Sequence, residues 1–341
     1  MEKWVIHEKE YEADQINPGL AVSPWSGHRQ FAYDLVAYVK PRRIVELGTH
    51  YGCSFFAFLQ ACKDEKLNTE VVAIDCWEGD EQAGFYGDEV LNTVKETLDK
   101  DFSEQNYRLI RKYFADALGD IEDESIDILH IDGLHTYEAV SEDYRTWLCK
   151  LKQDGIVLFH DVASELGYGT NKFWVEMQEK FPENYTFSHS WGLGVLFPKG
   201  KKYYEAFAQN NMEDKVNIYE YKARYALEHR QLQDHIIMVQ ERDKLIRANE
   251  EMIKARDEAI HGNEKMISEK DGLIAKCEEM IKLRDEAIRS NEKMIDEKDE
   301  VIARCEEMIK ARDEAIKSNE KMIDERDALI KQYEEKLAEQ R

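Results

Sequence analysis

The first 200 residues alternate between two patterns of apolar positions. Short, nearly continuous apolar runs that end in a polar residue are typical of buried strands, whereas apolar residues three and four positions apart are typical of helices. The runs predict strands near residues 44–47, 70–75, 107–111, 125–131 and 155–160. Helices are predicted near residues 29–39, 55–59, 88–99, 136–151 and 171–181, and an antiparallel pair at residues 186–190 and 194–197. Strands that alternate with helices predict an α/β fold.

Beyond residue 240 the pattern changes to a strict seven-residue repeat. Isoleucine recurs at every seventh position from Ile246 to Ile330, each time preceded by Met, Ala, Leu or Val. A larger unit repeats every 28 residues, so that Glu-Met-Ile-Lys begins at Glu251, Glu279 and Glu307. An apolar repeat of seven residues held over this length predicts a long, all-α parallel coiled coil.

The seam of this coiled coil is only half apolar. With isoleucine at position a, asparagines in the seam cost stability but fix the register of the helices. We expect self-association through the coil, as a trimer rather than a dimer; the alternative is a single helix with charge pairs four residues apart. Position d is occupied by Asn249, Arg256, Asn263, Lys270, Cys277, Arg284 and Asn291.

The patterns divide the chain into three predicted segments. These are a globular domain at residues 1–200, a helical neck with aromatic residues at 201–240, and the coiled coil at 241–341.

The chain is strongly acidic, with a formal net charge of -24. The first 240 residues contain 42 of the 71 acidic side chains and 25 of the 47 basic ones. Such a surface repels phosphate backbones, so we expect no nucleic acid partner. The sequence has no long apolar run, so we expect no membrane span. It has no signal-peptide pattern, and its six cysteines lack metal spacing, so we expect a cytoplasmic location. Attachment to the inner membrane through partners is left open.

A glycine-bearing turn follows the first predicted strand. Gly48 and Gly52 lie between an apolar run that contains Glu46 and an apolar segment with helical spacing. Glycine lets the backbone approach a ligand closely, and the amides of a helix N-terminus favour negative charge. We interpret the turn as a cofactor loop; the alternative is an ordinary strand-to-helix turn.

The second predicted strand ends in Asp75, an acid that can accept both hydroxyls of a ribose. At this point the sequence resembles the class I S-adenosylmethionine-dependent methyltransferases over about residues 20 to 200. The resemblance implies a Rossmann-like, mostly parallel sheet of seven strands with flanking helices, and S-adenosylmethionine as the cofactor. The cofactor-binding residues implied are Glu46, Gly48, Gly52 and Ser54 of the first motif, Asp75 at the ribose, and Asp116 near the adenine amino group, although Asp116 fits a helix cap equally well.

Two later strands end in polar residues that bind metals well. Asp132 and His135 follow the strand at 125–131, while His160 and Asp161 end the strand at 155–160. Because ligands bind outside the carboxyl ends of strands in an open parallel sheet, we expect these four side chains to converge beside the cofactor loop. Two carboxylates suit magnesium, and imidazole shifts the preference toward manganese or zinc.

This arrangement resembles the metal-dependent O-methyltransferases of the cephalosporin-hydroxylase-like and macrolide-sugar branch. The resemblance implies that Asp132, His160 and Asp161 hold a divalent metal, Mg or Mn. His160 departs from the pattern, since many relatives have an acid there. The alternative is that His160 and Asp161 cap the strand. His135 is the candidate general base that acts with Asp132, or else a residue that orients Asp132.

Three aromatic or imidazole side chains have two interpretations each. Trp25 and His28 could lie near the substrate under a lid, or Trp25 could be core and His28 a helix-start residue. Trp191 could line the acceptor pocket with His189, but we favour core packing for it.

Taken together, the sequence predicts a cytoplasmic, oligomeric, metal-assisted O-methyltransferase. By resemblance to methyltransferases with coiled coils that cap surface polysaccharides, the acceptor is a sugar hydroxyl of a bacterial surface glycan and the coil is a spacer. One alternative is methylation of a small phenol or an antibiotic sugar. The other is a coiled-coil scaffold whose head has lost catalysis.

Overall fold

The computed structural model describes residues 3–338. The chain divides into two units, the first ending at Val239 and the second beginning at Gln240.

The first unit contains a seven-stranded sheet in the order β5-β2-β1-β6-β7-β9-β8. Every neighbouring pair from β5 to β7 is parallel, and β9 runs antiparallel to both β7 and β8. This is the predicted Rossmann-like sheet. The strands are β1 Arg43–Leu47, β2 Glu70–Asp75, β5 Tyr107–Arg111, β6 Ile126–Ile131, β7 Leu151–His160, β8 Asn184–Phe187 and β9 Leu193–Leu196, and a separate two-residue hairpin pairs β3 Gly79–Asp80 with β4 Gly84–Phe85.

Helices lie between the strands as the spacing of apolar residues predicts. Three short 3-10 helices, Glu12–Gln15, Pro18–Val22 and Pro24–His28, precede the first α-helix, and proline begins two of them because its fixed φ suits the first helical position. The α-helices are α1 Arg29–Val39, α2 Cys53–Asp64, α3 Asp88–Asp101, α4 Phe114–Ala117, α5 Tyr137–Trp147, α6 Gly169–Lys180, α7 Lys202–Gln209 and α8 Met212–Ala338.

Each central strand is buried on both faces because its residues alternate between two apolar clusters. In β1, Ile44 packs in one cluster with α1, α2 and α3, whereas Val45 and Leu47 pack in the other with α5 and α6. Strands covered on both sides need continuous apolar runs. That requirement explains why the runs, rather than an alternating pattern, mark this sheet in the sequence.

Two predicted boundaries are wrong. The strand predicted at residues 186–190 is β8 Asn184–Phe187, so it ends three residues earlier. The helix predicted at residues 136–151 ends at Trp147, with Thr136 as its N-cap, and a short 3-10 turn at Leu148–Lys150 leads directly into β7. The strand begins at Leu151 because that fully buried side chain pairs with Ile126 across a register shift. The tertiary pairing of β7 therefore overrides the helical spacing at the end of α5.

The N-terminal segment is fixed to the sheet unit by buried aromatic side chains. Trp4 donates a hydrogen bond from Nε1 to the Tyr219 hydroxyl at 2.8 Å, and its ring packs edge-on against Phe207. The Tyr219 hydroxyl also bonds to Asp34 in α1. The start of α8 is thus part of the first unit's core.

The second unit continues α8, and every side chain from 240 to 338 is exposed in the single chain. The isoleucine stripe is therefore uncovered, with Ile253 58% and Ile281 60% exposed. Among residues 3–338, no helix combines the length and the apolar character that crossing a membrane requires.

Candidate functional site

The glycine loop between β1 and α2 adopts a conformation that requires glycine. Gly48 has φ +90° and Gly52 has φ +86°, in the left-handed region that other residues rarely adopt. A Cβ at Gly48 would lie 2.0 Å from the carbonyl oxygen of Asp132, so the loop backbone lies directly against the end of β6. Gly52 is the N-cap residue of α2 and provides no side-chain cap. The first amides of α2 are therefore open to an acceptor from a ligand.

Asp75 organises this loop. Its Oδ2 accepts hydrogen bonds from the backbone N–H groups of Thr49 at 2.8 Å and His50 at 2.9 Å, and its Oδ1 accepts one from Trp77 at 2.6 Å. The carboxylate is 7% exposed. Oδ2 thus already accepts two hydrogen bonds, whereas Oδ1 accepts one and has a further lone pair, so the group can accept one more hydrogen bond at the sheet edge.

Glu46 is fully buried in a relay of side chains that begins at Trp25. Its Oε1 accepts a bond from the Ser54 hydroxyl and lies 2.9 Å from His130 Nδ1. Trp25 donates from Nε1 to His130 Nε2 at 3.1 Å. Because Trp25 can only donate, the His130 proton sits on Nδ1 and points at Glu46. Glu46 and Ser54 therefore hold β1, β6 and α2 together behind the loop.

His130 is a residue that sequence reasoning missed. It occupies the position of β6 directly opposite Glu46 in the parallel register. The sequence feature that could have identified it is its position two residues before Asp132, because residues two apart along a strand lie on the same face.

The predicted acid and histidine residues come together at the carboxyl ends of β6 and β7. One ligand-type atom each of Asp132, His135 and Asp161 lies within 4.8 Å of the others. His135 Nε2 is 3.2 Å from Asp161 Oδ2, and His160 Nδ1 is 3.3 Å from Asp132 Oδ1 and 3.1 Å from Asp161 Oδ2. All four side chains thus form one group, referred to below as the acid–histidine cluster.

The electrostatics of His160 follow from its two neighbours. Its Nε2 lies 3.0 Å from the carbonyl oxygen of Ser190, which can only accept, so that nitrogen carries a proton. Burial lowers the pKa of His160, but the carboxylates of Asp132 and Asp161 outweigh it and raise the pKa to about 10. Conversely, burial raises the pKa of Asp132, and the facing His160 more than reverses this, so the pKa ends well below its usual range. The carboxylates therefore attract positive charge to this position.

The residues of the cluster fit a divalent cation. Asp161 is 1% exposed, its Oδ1 is buried without a hydrogen-bond partner, and its backbone φ of +61° is unusual for aspartate. Carboxylate oxygens and imidazole nitrogens suit Mg²⁺ or Mn²⁺. The bond from His160 Nε2 to Ser190 would orient the ring so that Nδ1 faces the cation, as backbone carbonyls commonly do for ligating histidines.

Asp116 lies apart from this group, on the exposed surface of α4 just after β5. The alternative interpretation as a helix cap is wrong, because the turn at Leu118–Asp120 has Ala117 as its N-cap and no side-chain cap bond.

Trp25 and His28 are both buried. Trp25 belongs to the hydrophobic core and His28 is the N-cap residue of α1, as the alternatives to a lid predict. The rings of His28 and His189 have centroids 4.4 Å apart and are tilted by 47°. Burial, and then the neighbouring histidines, lower the pKa of His28 well below its ordinary value. The core interpretation of Trp191 is wrong, since that side chain is 40% exposed. It projects because Ser190, Trp191 and Gly192 have consecutive positive φ angles of 51°, 65° and 90°.

Tyr168 is a second residue that sequence reasoning missed. Its ring stacks on His135 with centroids 4.7 Å apart, and it contacts Trp191 edge-on at 6.4 Å. Nothing in the spacing of this loop residue marks it as part of a site. The three rings form a continuous aromatic surface that begins at the acid–histidine cluster.

Comparisons with known proteins agree with this layout. Residues 45–162 match the family described as "Methyltransferase domain", a segment that includes the glycine loop, Asp75 and the cluster but less than half of the chain. The uncharacterized protein y4gI of Sinorhizobium fredii (strain NBRC 101917 / NGR234) is 45% identical over 192 residues, which is 54% of this chain. The chain spans only 20% of that relative's length.

Solved methyltransferases are similar at lower identity. The SAH-bound methyltransferase PaMTH1 of Podospora anserina is 18% identical, with a TM-score of 0.43 over 56% of this chain and 88% of its own. The O-methyltransferase TomG of Streptomyces achromogenes, in complex with SAM, is 14% identical, with a TM-score of 0.42 over 57% of this chain and 91% of its own. Likenesses of this size assign neither cofactor nor acceptor to the chain. The match over residues 45–162 identifies a methyltransferase domain within the first unit.

Proposed function

We propose that the first unit is an S-adenosylmethionine-dependent, metal-assisted O-methyltransferase that acts on a sugar hydroxyl. One observation supports this more than any other: the backbone of the glycine loop at Gly48 lies against Asp132, so a cofactor site and an acid–histidine cluster adjoin at one sheet edge. A methyl donor and an acceptor hydroxyl held there would react as neighbours rather than after diffusion.

The cofactor side of this site consists of the loop, the start of α2 and Asp75. S-adenosylmethionine supplies a methyl group on a sulfonium. Asp75 would accept a ribose hydroxyl with the remaining lone pair of Oδ1, and the amides at the start of α2 would face the carboxylate of the methionine part. Asp116 is proposed to lie near the adenine.

Calorimetry of S-adenosylmethionine with the full chain and with Asp75→Asn tests the cofactor site. We expect binding to weaken by about tenfold or more in the variant, about 1.4 kcal/mol, because the amide NH₂ cannot accept hydrogen bonds. Asp99→Asn, an exposed carboxylate on α3, is the matched control and should bind as the natural protein does. Absence of binding by the natural protein, with or without Mg²⁺ or Mn²⁺, would contradict the proposal and favour an inactive head.

The acceptor side is the acid–histidine cluster. Asp132, His160 and Asp161 are proposed to hold a divalent cation, which would supply Lewis acidity that favours deprotonation of the acceptor hydroxyl. His135 is held by Asp161 on one edge and by the Tyr168 ring on its face, and we assign it the removal of the hydroxyl proton.

Metal content and pH dependence separate the two roles of the histidines. If His135 is the base, His135→Gln should keep the Mn²⁺ stoichiometry of the natural protein, measured by equilibrium dialysis, and lose the acid limb of the pH–rate profile. Asp161→Asn should lose Mn²⁺ binding. Loss of Mn²⁺ in both variants would instead make His135 a ligand.

The second unit is proposed to join copies of the chain through the isoleucine stripe, as a trimer, and to act as a spacer for a surface glycan. Removing residues 252–279 deletes one whole repeat and keeps the heptad register. Glycans made by cells with this variant should differ in length from those made with the natural protein. An unchanged length distribution would rule out the spacer role.

A further inference from the structure

A large groove lies in the first unit, beyond the acid–histidine cluster. Its volume is about 1210 Å³, and its walls come from residues 8–30, the turn at residues 189–191 and the start of α8 at residues 219–230. Sites for small molecules typically enclose about 300–1,000 Å³. The groove is therefore large enough for a ligand longer than one sugar.

The α8 wall presents a row of aromatic rings. The ring planes of Tyr221 and Tyr225 are nearly parallel, at 21°, with centroids 6.4 Å apart. His229 continues the row beyond the groove, with its centroid 6.0 Å from that of Tyr225. The two tyrosines are 70% and 59% exposed. A ring with an apolar face and a polar hydroxyl suits a ligand that has both characters, such as a pyranose.

The basic side chains of the groove are already paired within the protein. Arg29 contacts Asp14 at 2.6 Å, and Lys222 contacts Glu8 at 2.7 Å. The other lining bases also have partners: Lys9 pairs with Asp64, Arg224 with Glu220, and Arg230 with the carbonyl of Ala21. A polyanion would have to break these pairs, so the groove favours a neutral ligand.

An aromatic surface links the groove to the cluster. Trp191 lines the groove, contacts Tyr168, and through it reaches His135, which is 3.2 Å from Asp161. The strained left-handed turn that exposes Trp191 is kept in place by a bond from the Ala163 amide to the Trp191 carbonyl at 2.8 Å. Strain retained by a surrounding structure commonly marks a functional position.

We propose that this groove binds a neutral oligosaccharide of several units, with the rings of Tyr221, Tyr225 and Trp191 stacking on successive sugars. The end of that chain would place a hydroxyl at the acid–histidine cluster, a part of the inference that rests on the proposed function. The occupant that competes with a glycan is a second copy of this chain covering the tyrosine row.

The full chain is tested on an array of neutral mono- to octasaccharides of glucose, mannose, galactose and N-acetylglucosamine, with heparin as the anionic probe. Trp191→Ala and the double variant Tyr221→Ala/Tyr225→Ala remove the stacking rings. Tyr333→Ala, an exposed tyrosine of the second unit, is the matched control. Light scattering gives the oligomeric mass of each variant, and calorimetry with S-adenosylmethionine checks the fold and the cofactor site.

We expect the natural protein to retain neutral oligosaccharides more strongly than monosaccharides. Both groove variants should retain the oligosaccharides about tenfold more weakly, and Tyr333→Ala should retain them as the natural protein does. Retention of no neutral oligosaccharide, retention of heparin alone, or equal retention by the groove variants would overturn it. A lower oligomeric mass in the double variant would also overturn it, because the tyrosine row would then be an interface between copies. Oligosaccharide retention without S-adenosylmethionine binding would support oligosaccharide binding in the groove and contradict the proposed methyltransferase. S-adenosylmethionine binding without oligosaccharide retention would support the methyltransferase and contradict oligosaccharide binding in the groove.

Discussion

Gly48 connects the fold to the candidate site, and its replacement gives a quantitative test of that connection. An alanine Cβ there would lie 2.0 Å from the Asp132 carbonyl oxygen, about 1 Å short of the closest contact that Cβ atoms make. Gly84 has a similar φ of +82°, but an added Cβ meets nothing within 4 Å. The pair of variants therefore separates backbone strain, which both share, from the collision with Asp132.

Backbone strain from a left-handed alanine costs about 1–2 kcal/mol. Forcing an extra atom into a packed position costs about 1–3 kcal/mol more. We expect Gly84→Ala to lower the free energy of unfolding by no more than about 2 kcal/mol, and Gly48→Ala by about 2–5 kcal/mol. Because the collision displaces Asp132, Gly48→Ala should also weaken Mn²⁺ binding, whereas Gly84→Ala should not.

Urea unfolding followed by tryptophan fluorescence is the suitable assay. All six tryptophans lie between Trp4 and Trp191, so the fluorescence reports unfolding of the first unit and not of the second. Equal destabilisation by the two variants would refute the reasoning, because it would mean that Asp132 does not lie against the loop. A destabilised Gly48→Ala with unchanged Mn²⁺ binding would show that the loop and the cluster are mechanically independent.

Three further predictions concern other parts of the molecule. Trp25→Phe removes the donor to His130 and leaves a buried acceptor unpaired, so it should lower the free energy of unfolding by about 1–3 kcal/mol in the same urea assay. A loss below about 0.5 kcal/mol, the size of a neutral surface change, would mean that the relay is not formed. His28 is neutral in the folded state because its pKa is lowered, whereas in the unfolded chain it takes up a proton near pH 6.5. The free energy of unfolding should therefore fall as pH drops below about 6.5, by up to about 1.4 kcal/mol per pH unit. His28→Gln should make the free energy of unfolding depend less on pH in this range. Replacing one isoleucine of each 28-residue repeat by serine, at Ile253, Ile281 and Ile309, should dissociate the oligomer and lower the mass measured by light scattering. Serine at the lysine that follows each of them, at Lys254, Lys282 and Lys310, should leave the mass unchanged.

The sequence predicted the parts of the fold that local pattern controls. The α1 helix at Arg29–Val39 and the β2 strand at Glu70–Asp75 have the predicted bounds because their apolar spacing agrees with their burial. The end of α5 was not predictable in this way, since Leu151 belongs to a strand only through its partner on β6. Topology also placed the acid–histidine cluster, because the four residues end neighbouring parallel strands.

Contacts between distant segments were beyond the sequence. The relay from Trp25 to Glu46 joins residues far apart in the chain, and only the strand register brings His130 opposite Glu46. Trp191 was misjudged because a large aromatic residue in a turn is usually buried, and its exposure depends on three consecutive left-handed residues that no spacing reveals. The roles proposed for the site residues stay predictions.

The 28-residue repeat of the long helix has a consequence for how this protein can change over generations. Near-identical repeats in a coding sequence recombine with one another, which adds or deletes whole units. Since each unit is four heptads, gain or loss of one unit keeps the isoleucine stripe in phase and changes the helix by about 42 Å. Insertions whose length is not a multiple of seven would rotate the stripe out of register. The length of the helix can therefore change in steps of one unit without any change in the sequence of the first unit.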